Sequence, residues 1–316
     1  MQYAIHHVTK FRYSAPITES VMQLWMQPRS EGVQHCLKFE LAIRPVAQAK
    51  SHRDYMGNIV HHFGIPGPHT QLVITAKSLV ERLSTPPLPE HLEPSGWDEL
   101  DAIVAEGDYW DMLMPSHFAH PTELLRDFAR ELQLQRRDDP LTVLRDLNAA
   151  IFKAFEYVPQ STTVDSPIDH ALSTRQGVCQ DYANIMIALA RELRIPCRYV
   201  SGYLFHRKEY NDRSAQDATH AWVEALLPGL DWVGFDPTNN LIAGDRHIRV
   251  AVGRDYADVP PTRGVFKGTA ESELSVAVQV KPPDEPFSPE EMKAMAVVSQ
   301  MNMEQEQAQQ QQQQQQ

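Results

Sequence analysis

Two kinds of hydrophobic periodicity divide the chain. From the start to about residue 84, apolar and polar positions alternate. Tyr3, Ile5, His7, Thr9 and Phe11 form one such run, and Leu37, Phe39, Leu41 and Ile43 form another. A period of two is that of a half-buried strand. Gln71 to Val80 is a further run rich in β-branched residues, and Asp54-Tyr55-Met56-Gly57-Asn58 reads as a turn. The expectation for residues 1–84 is an antiparallel β domain, a small sandwich or curled sheet.

Residues 85–96 carry the prolines of Pro86-Pro87-Leu88-Pro89 and Pro94, and read as a linker. Helical spacing follows. A short helix is expected between Trp97 and Leu113. Leu124, Leu125, Phe128, Ala129 and Leu132 then fall on one side of a second helix. Asp139-Pro140 supplies an N-cap and first-turn pair for a third, with Leu141, Leu144, Leu147, Ile151 and Phe155 as its stripe. From Tyr182 to Leu193 the apolar side chains fall on nearly every face, which marks a buried helix. Short β-type runs come after it: Arg198–Phe205, Ala221–Leu227, Trp232–Phe235, Arg246–Val252 and Ser272–Lys281. Helices first and strands afterwards imply an α+β core spanning 97–281, with helices packed on an antiparallel sheet. The remainder, 282–316, opens with a short helix signal at Ser288-Pro289-Glu290-Glu291. It becomes glutamine-rich from Asn302 and is expected to be disordered at its end.

Composition narrows the classes. The 316 residues are 42% hydrophobic and 22% charged, ordinary for a soluble chain. With 29 basic and 41 acidic residues the formal charge is 29 − 41 = −12. No basic block is present to follow a phosphate backbone, so nucleic acid is not the expected partner. There is no signal-type apolar core at the start and no run of transmembrane length. Three cysteines (Cys36, Cys179 and Cys197) form a sparse, odd set, and together these features lead to the expectation of a cytoplasmic protein with reduced thiols that does not engage a membrane. His6, His7, His35, His52, His61, His62 and His69 have no metal-ligand spacing and are expected on the surface or on strand faces.

The candidate chemistry centres on Gly177-Val178-Cys179-Gln180-Asp181-Tyr182-Ala183. Gly177 breaks the chain just before the buried helix, so Cys179 is expected in its first turn. Unpaired backbone N–H groups and the helix dipole stabilise a thiolate there. A small buried cysteine could equally occupy that position, so partners must decide. His220, in Thr219-His220-Ala221-Trp222, is a candidate base, and Asp236, in Gly234-Phe235-Asp236-Pro237, a candidate orienting group. Leu227-Pro228-Gly229-Leu230 is a turn sequence joining their strands. A hairpin centred near Pro228 sets His220 directly across from Asp236, with Cβ atoms about 5 Å apart. A slip of one residue would separate them onto opposite faces.

The three blocks Gly-Val-Cys-Gln-Asp-Tyr-Ala, Thr-His-Ala-Trp-Val-Glu and Gly-Phe-Asp-Pro-Thr closely resemble the signature blocks of the transglutaminase-like superfamily. Phe155-Glu-Tyr157 and Tyr199-Val-Ser-Gly-Tyr203 match the same core. Tyr13-Ser-Ala-Pro16, Asp54-Tyr-Met-Gly-Asn58 and Gly253-Arg-Asp-Tyr-Ala-Asp-Val-Pro-Pro261 extend the likeness to the bacterial two-domain members, so that it covers residues 1 to about 281. The resemblance implies a papain-like core with Cys179 as nucleophile, His220 as base and Asp236 as orienter. It also implies a protein or peptide substrate and a thioester acyl-enzyme resolved by water or an amine. One departure is Arg194, where family members commonly have glycine. Tyr157 and Trp222 are expected to pack, and Asp181 to serve the helix start. No cofactor or metal is expected, and no acidic cluster resembles a calcium loop. The rival reading is a non-catalytic peptide-binding scaffold on the same fold.

Overall fold

The computed structural model describes residues 1–285 except 208 and 217. The expected helix near Ser288 and the glutamine-rich end lie outside the described residues.

The N-terminal region contains β1 (Gln2–Ile17), β2 (Glu19–Leu24), β3 (Gln34–Arg44), β4 (Lys50–Arg53), β5 (Ile59–Ile65) and β6 (His69–Arg82). Helices α1 (Gly96–Ala105), α2 (Trp110–Leu113), α3 (Glu123–Glu131) and α4 (Pro140–Ala154) follow. Next come β7 (Glu156–Tyr157), α5 (Ile168–Thr174), β8 (Gln176–Gly177) and the central helix α6 (Cys179–Glu192). The core sheet is built from β9 (Cys197–Leu204), β10 (His220–Leu227), β11 (Asp231–Asp236), β12 (Leu241–Ile242) and β13 (His247–Gly253). A 3₁₀ turn at Tyr256–Asp258 leads to β14 (Thr262–Lys267) and β15 (Ser272–Lys281).

Three antiparallel sheets result, β15-β1-β6-β3, β14-β2-β5-β4 and the core sheet β12-β11-β10-β9-β13, beside a two-stranded parallel pair, β7-β8. The first two face each other across Tyr13, Ile17, Met22, Leu24, Phe63, Leu72 and Ile74, forming the expected sandwich. The strands at the end of the chain differ from the sequence reading, which gave them to the core. β15 pairs with β1 along Tyr13↔Ser272 to Ala4↔Lys281, and β14 pairs with β2. The alternation of Val276, Val278 and Val280 matches β1, whose outer edge would otherwise stand open, and pairing removes that edge. The N-terminal sandwich is therefore finished by the C-terminal strands.

Helix α6 is enclosed as its composition requires. Tyr182, Ile185, Met186, Ile187 and Leu189 are fully buried among the α3, α4 and α5 stripes and the Ala221, Val223 and Ala225 face of β10. Its C-terminal end is a Schellman turn. Ile195 N–H bonds the Ala190 carbonyl at 3.1 Å, Arg194 N–H bonds that of Arg191 at 2.9 Å, and Arg194 takes the left-handed φ of 61°. A non-glycine residue there costs about 1 kcal/mol.

Two side-chain amides fasten the sandwich to the core. Asn58 donates to the Val252 carbonyl and accepts from Val252 N–H, both at 2.8 Å. Gln34 does the same with Arg249, again at 2.8 Å on each side. β13 is an edge strand of the core sheet, and these amides occupy its open hydrogen-bonding positions in place of another strand. Of the N-terminal histidines expected on the surface or strand faces, two are fully enclosed. His7 bonds the Tyr203 hydroxyl at 2.9 Å and that of Thr9 at 3.1 Å, and His69 bonds Ser20 at 3.1 Å. Replacing Asn58 by Ala leaves Val252 N–H and C=O buried without partners. Asn58→Ala is expected to lower unfolding free energy by about 3 kcal/mol, measured by urea titration.

Candidate active site

Cys179 is the first residue of α6, preceded by Val178 in extended conformation. The entry is held by Asp181, whose carboxylate accepts from Val178 N–H at 2.8 Å and from the Thr162 hydroxyl at 2.6 Å. A Cβ on residue 177 would lie 3.0 Å from Asp181 Cβ and Oδ2, so glycine there lets the carboxylate fold back over the turn. Burial raises the Asp181 carboxyl pKa, only partly offset by those bonds. Asp181 thus serves the helix start, as expected. Cys179 is partly exposed, whereas Cys197 is fully buried and its thiol is pushed up to about 12 by that burial.

His220 opens β10, and Asp236 ends β11. Their ladder differs from the expected register. Leu227 pairs with Asp231 and Val223 with Phe235, so the hairpin is centred on Gly229. The loop has three residues, with positive φ at Gly229 (68°) and Asp231 (57°), a geometry that sequence inspection centred one residue early. The displacement amounts to two residues along the partner strand, which preserves the face. His220 therefore lies diagonal to Asp236, and imidazole Nε2 meets Oδ2 at 2.8 Å.

The carboxylate of Asp236 is completely buried and receives five hydrogen bonds. Thr238 N–H (3.1 Å) and Asn239 N–H (3.2 Å) donate to Oδ1. His220 Nε2 (2.8 Å), Asn239 Nδ2 (2.8 Å) and His247 Nε2 (3.1 Å) donate to Oδ2. Burial alone would raise the Asp236 pKa, but the His220 charge and these bonds override it and hold the carboxyl far below its ordinary range. Burial alone would likewise lower His220. The negative charge of Asp236, and after it Cys179, instead raises it well above the ordinary imidazole value. Cys179 is thus close enough to the ring to favour its charged form. Nδ1, the nitrogen that Asp236 leaves open, is buried and has no aligned hydrogen bond.

The structure therefore brings Cys179, His220 and Asp236 into one chain of contacts. A thiol at a helix N-terminus, an imidazole beside it and a carboxylate behind it can generate a thiolate and move a proton. Sequence reading did not single out His247 or Asn239. Asn239 was accessible as part of an Asp-Pro-Thr-Asn turn, while His247 is a lone histidine at the start of a strand and carries no local signal. Tyr199 and Tyr256 also lie beside Cys179. Burial raises both phenols, with Cys179 contributing to each. Trp222 packs as expected, across Gly202 and Gly234, where any Cβ would strike its ring, the Ile248 carbonyl or Ala243.

His220, Asp236 and His247 also place three metal-ligand atom types within 4.8 Å of one another. Ligands on a tetrahedral ion, bound at 2.0–2.1 Å, stand about 3.3 Å apart. The 2.8 Å between His220 Nε2 and Asp236 Oδ2 is instead a hydrogen-bond spacing.

Residues 3–81 match the family model of the bacterial transglutaminase-like N-terminal region, and residues 126–237 match that of the transglutaminase-like superfamily. An uncharacterized protein of Mycobacterium tuberculosis is 36% identical over 296 residues, covering 89% of this chain and 93% of its own. The chain belongs to the transglutaminase-like superfamily. A Mycobacterium leprae relative, also uncharacterized, is 31% identical over 279 residues, covering 87% of this chain and 96% of its own. Among solved structures, a "Putative Cysteine Protease" from Cytophaga hutchinsonii superposes with a TM-score of 0.71 at 22% identity. It covers 92% of this chain and 93% of that one, and so shares the fold. Among the described residues, no helix is long and apolar enough to cross a membrane.

In this transglutaminase-like chain the His220–Asp236 pair carries a pH-dependent share of stability. Both groups are shifted toward their charged forms in the folded state. Their contribution is complete from about pH 4 to about pH 6.5, the ordinary aspartate and histidine values. It is lost as pH rises through the raised His220 value, and on the acid side as pH falls through the lowered Asp236 value. Asp236→Asn is expected to lower the urea midpoint most near about pH 6, with a deficit that shrinks steadily toward about pH 10.

Proposed function

We propose that the protein is a thiol acyl-transfer enzyme acting on peptide or carboxamide bonds, with Cys179 as nucleophile, His220 as general base and acid, and Asp236 as the group that orients it. The observation that carries this reading is the position of the His220 ring, held at Nε2 by a buried carboxylate while Cys179 lies against it. Cys179 gives its proton to His220, and its sulfur attacks the carbonyl carbon. The tetrahedral oxyanion forms beside the Cys179 backbone N–H, which has no intrahelical acceptor in the first turn. The carbon–nitrogen bond then breaks, and His220 returns the proton to the departing amine or ammonia. A thioester remains on Cys179. Water or a second amine, deprotonated by His220, attacks it and releases an acid or a new amide. The substrate is a protein or peptide, and the second acceptor separates hydrolysis from transamidation.

The three cysteines supply an internal comparison. Cys36 is half-buried and its thiol is raised by burial, and Cys197 is enclosed. Iodoacetamide at about pH 6 is expected to modify Cys179 selectively, and His220→Ala is expected to abolish that selectivity. Labelling of Cys179 no faster than Cys36 or Cys197 would remove the basis for an enzyme. Incubation with glutamine-containing peptides, with and without a primary amine, then distinguishes amine adducts from cleaved or deamidated products by mass.

A further inference from the structure

We propose that His247 is a positioning residue that draws on the Asp236 carboxylate and so limits how firmly His220 is held as an imidazolium. The inference rests on His220 and Asp236 working as the pair described above, and it assigns a role to a histidine outside the three signature blocks.

The tautomer of His247 follows from its partners. Gly244 N–H donates to Nδ1 at 3.3 Å, so the ring proton sits on Nε2 and is given to Asp236 Oδ2 at 3.1 Å. The ring is 3% exposed. That burial lowers its pKa, with Asp236 offsetting only part of the effect, so it stands as a neutral donor.

The carboxylate does not need this donor for its orientation. Oδ1 is already fixed by two backbone N–H groups of its own turn, at 3.1 and 3.2 Å. Oδ2, with two lone pairs, receives three donors: His220, Asn239 and His247. Donors on one oxygen compete for its charge, so each weakens the hold on the others. The enclosure is tight, with His220, Asp236, His247 and Trp222 all buried. Trp222 stacks beside His220 at 6.0 Å between ring centroids and meets His247 edge-on at 5.1 Å. In such surroundings the competition is not screened by solvent.

Among the described residues, the other charged groups around this centre are few. Cys179 approaches His220 from α6. His206, Asp212 and Arg246 form a separate cluster beside both histidines, with Asp212 paired to His206 at 3.1 Å and to Arg246 at 2.7 Å. None of these three bonds Asp236, so its Oδ2 is shared among His220, His247 and Asn239.

The consequence is chemical. A base that must also return its proton to a leaving amine works best when its pKa lies near the operating pH. A buried, undivided carboxylate would hold His220 charged too firmly for that return, and His247 loosens it.

The test is proton and nitrogen NMR of histidine-labelled full-length protein. The downfield His220 Nε2–H resonance is assigned by its loss in His220→Gln. In His247→Phe, which keeps a ring but no donor, this resonance is expected to move further downfield, and the His220 titration midpoint to rise. His247→Gln, which restores an N–H donor, is expected to return the resonance toward its native position. His247→Asn keeps a partner for Gly244 but is too short to reach Asp236, and serves if the Phe variant is not folded by circular dichroism. An unchanged or upfield resonance in a folded donor-less variant overturns the inference. The iodoacetamide comparison tests the enzyme reading separately, because the His220 resonance reports on the histidine–carboxylate pair without requiring Cys179 to be reactive.

Discussion

The carboxylate of Asp236 is the constraint around which the core is arranged. A bare carboxylate with no exposed surface is costly, and only a full set of donors makes it tolerable. Those donors come from separate places: the turn following β11, the first residue of β10 and the first residue of β13. Meeting the hydrogen-bond demand of one residue therefore fixes the relative placement of three strands. Helix α6, packed on the opposite face of β10, then delivers Cys179 to the same place. The site is a by-product of how this sheet satisfies the buried carboxylate of Asp236.

The same arrangement explains why two nearby thiols differ. Cys197 lies in β9 under α6, and Cys179 stands at the helix mouth. They share a cluster of side chains, but only one is at the helix N-terminus and next to an imidazole. Arg191, buried on α6, spends its donors on the carbonyls of Met112, Met114, Cys197 and Arg254, and so ties the far end of the helix to the segments around it. Rigidity at both ends of α6 keeps its first turn in register with the sheet.

Much of this was legible in the residues, for identifiable reasons. The runs in β1 and β3 alternate because one face of each is the more buried, and α6 announces itself because nearly all its residues are covered. Cys179, His220 and Asp236 are each adjacent to a local marker: a glycine break, a strand start and a proline turn. The hairpin register was misjudged because the loop is centred on the left-handed Gly229 and not on Pro228. The destination of β15 was missed because alternation says that a segment is a strand without naming the edge it joins, and β14 was not read as a strand at all. His247 was missed for a related reason. Its partner is eleven residues away in sequence and is reached only through the sheet, so no spacing rule reveals it.

The pairing of β15 with β1 bears on how the chain is made. β1 precedes the core in sequence, and its partner on one side comes from residues 272–281, beyond the core. A ribosome must have released residues 272–281 before that sheet can close. The sandwich in turn carries Gln34 and Asn58, whose amides complete the edge of β13 and so steady the strand that presents His247. β15 thus secures β1, and a chain made only as far as β13 holds its cysteine beside an unfinished sandwich. Contacts of such long sequence separation form slowly. The order of synthesis delays completion of the sandwich that steadies His247 until residues 272–281 have emerged.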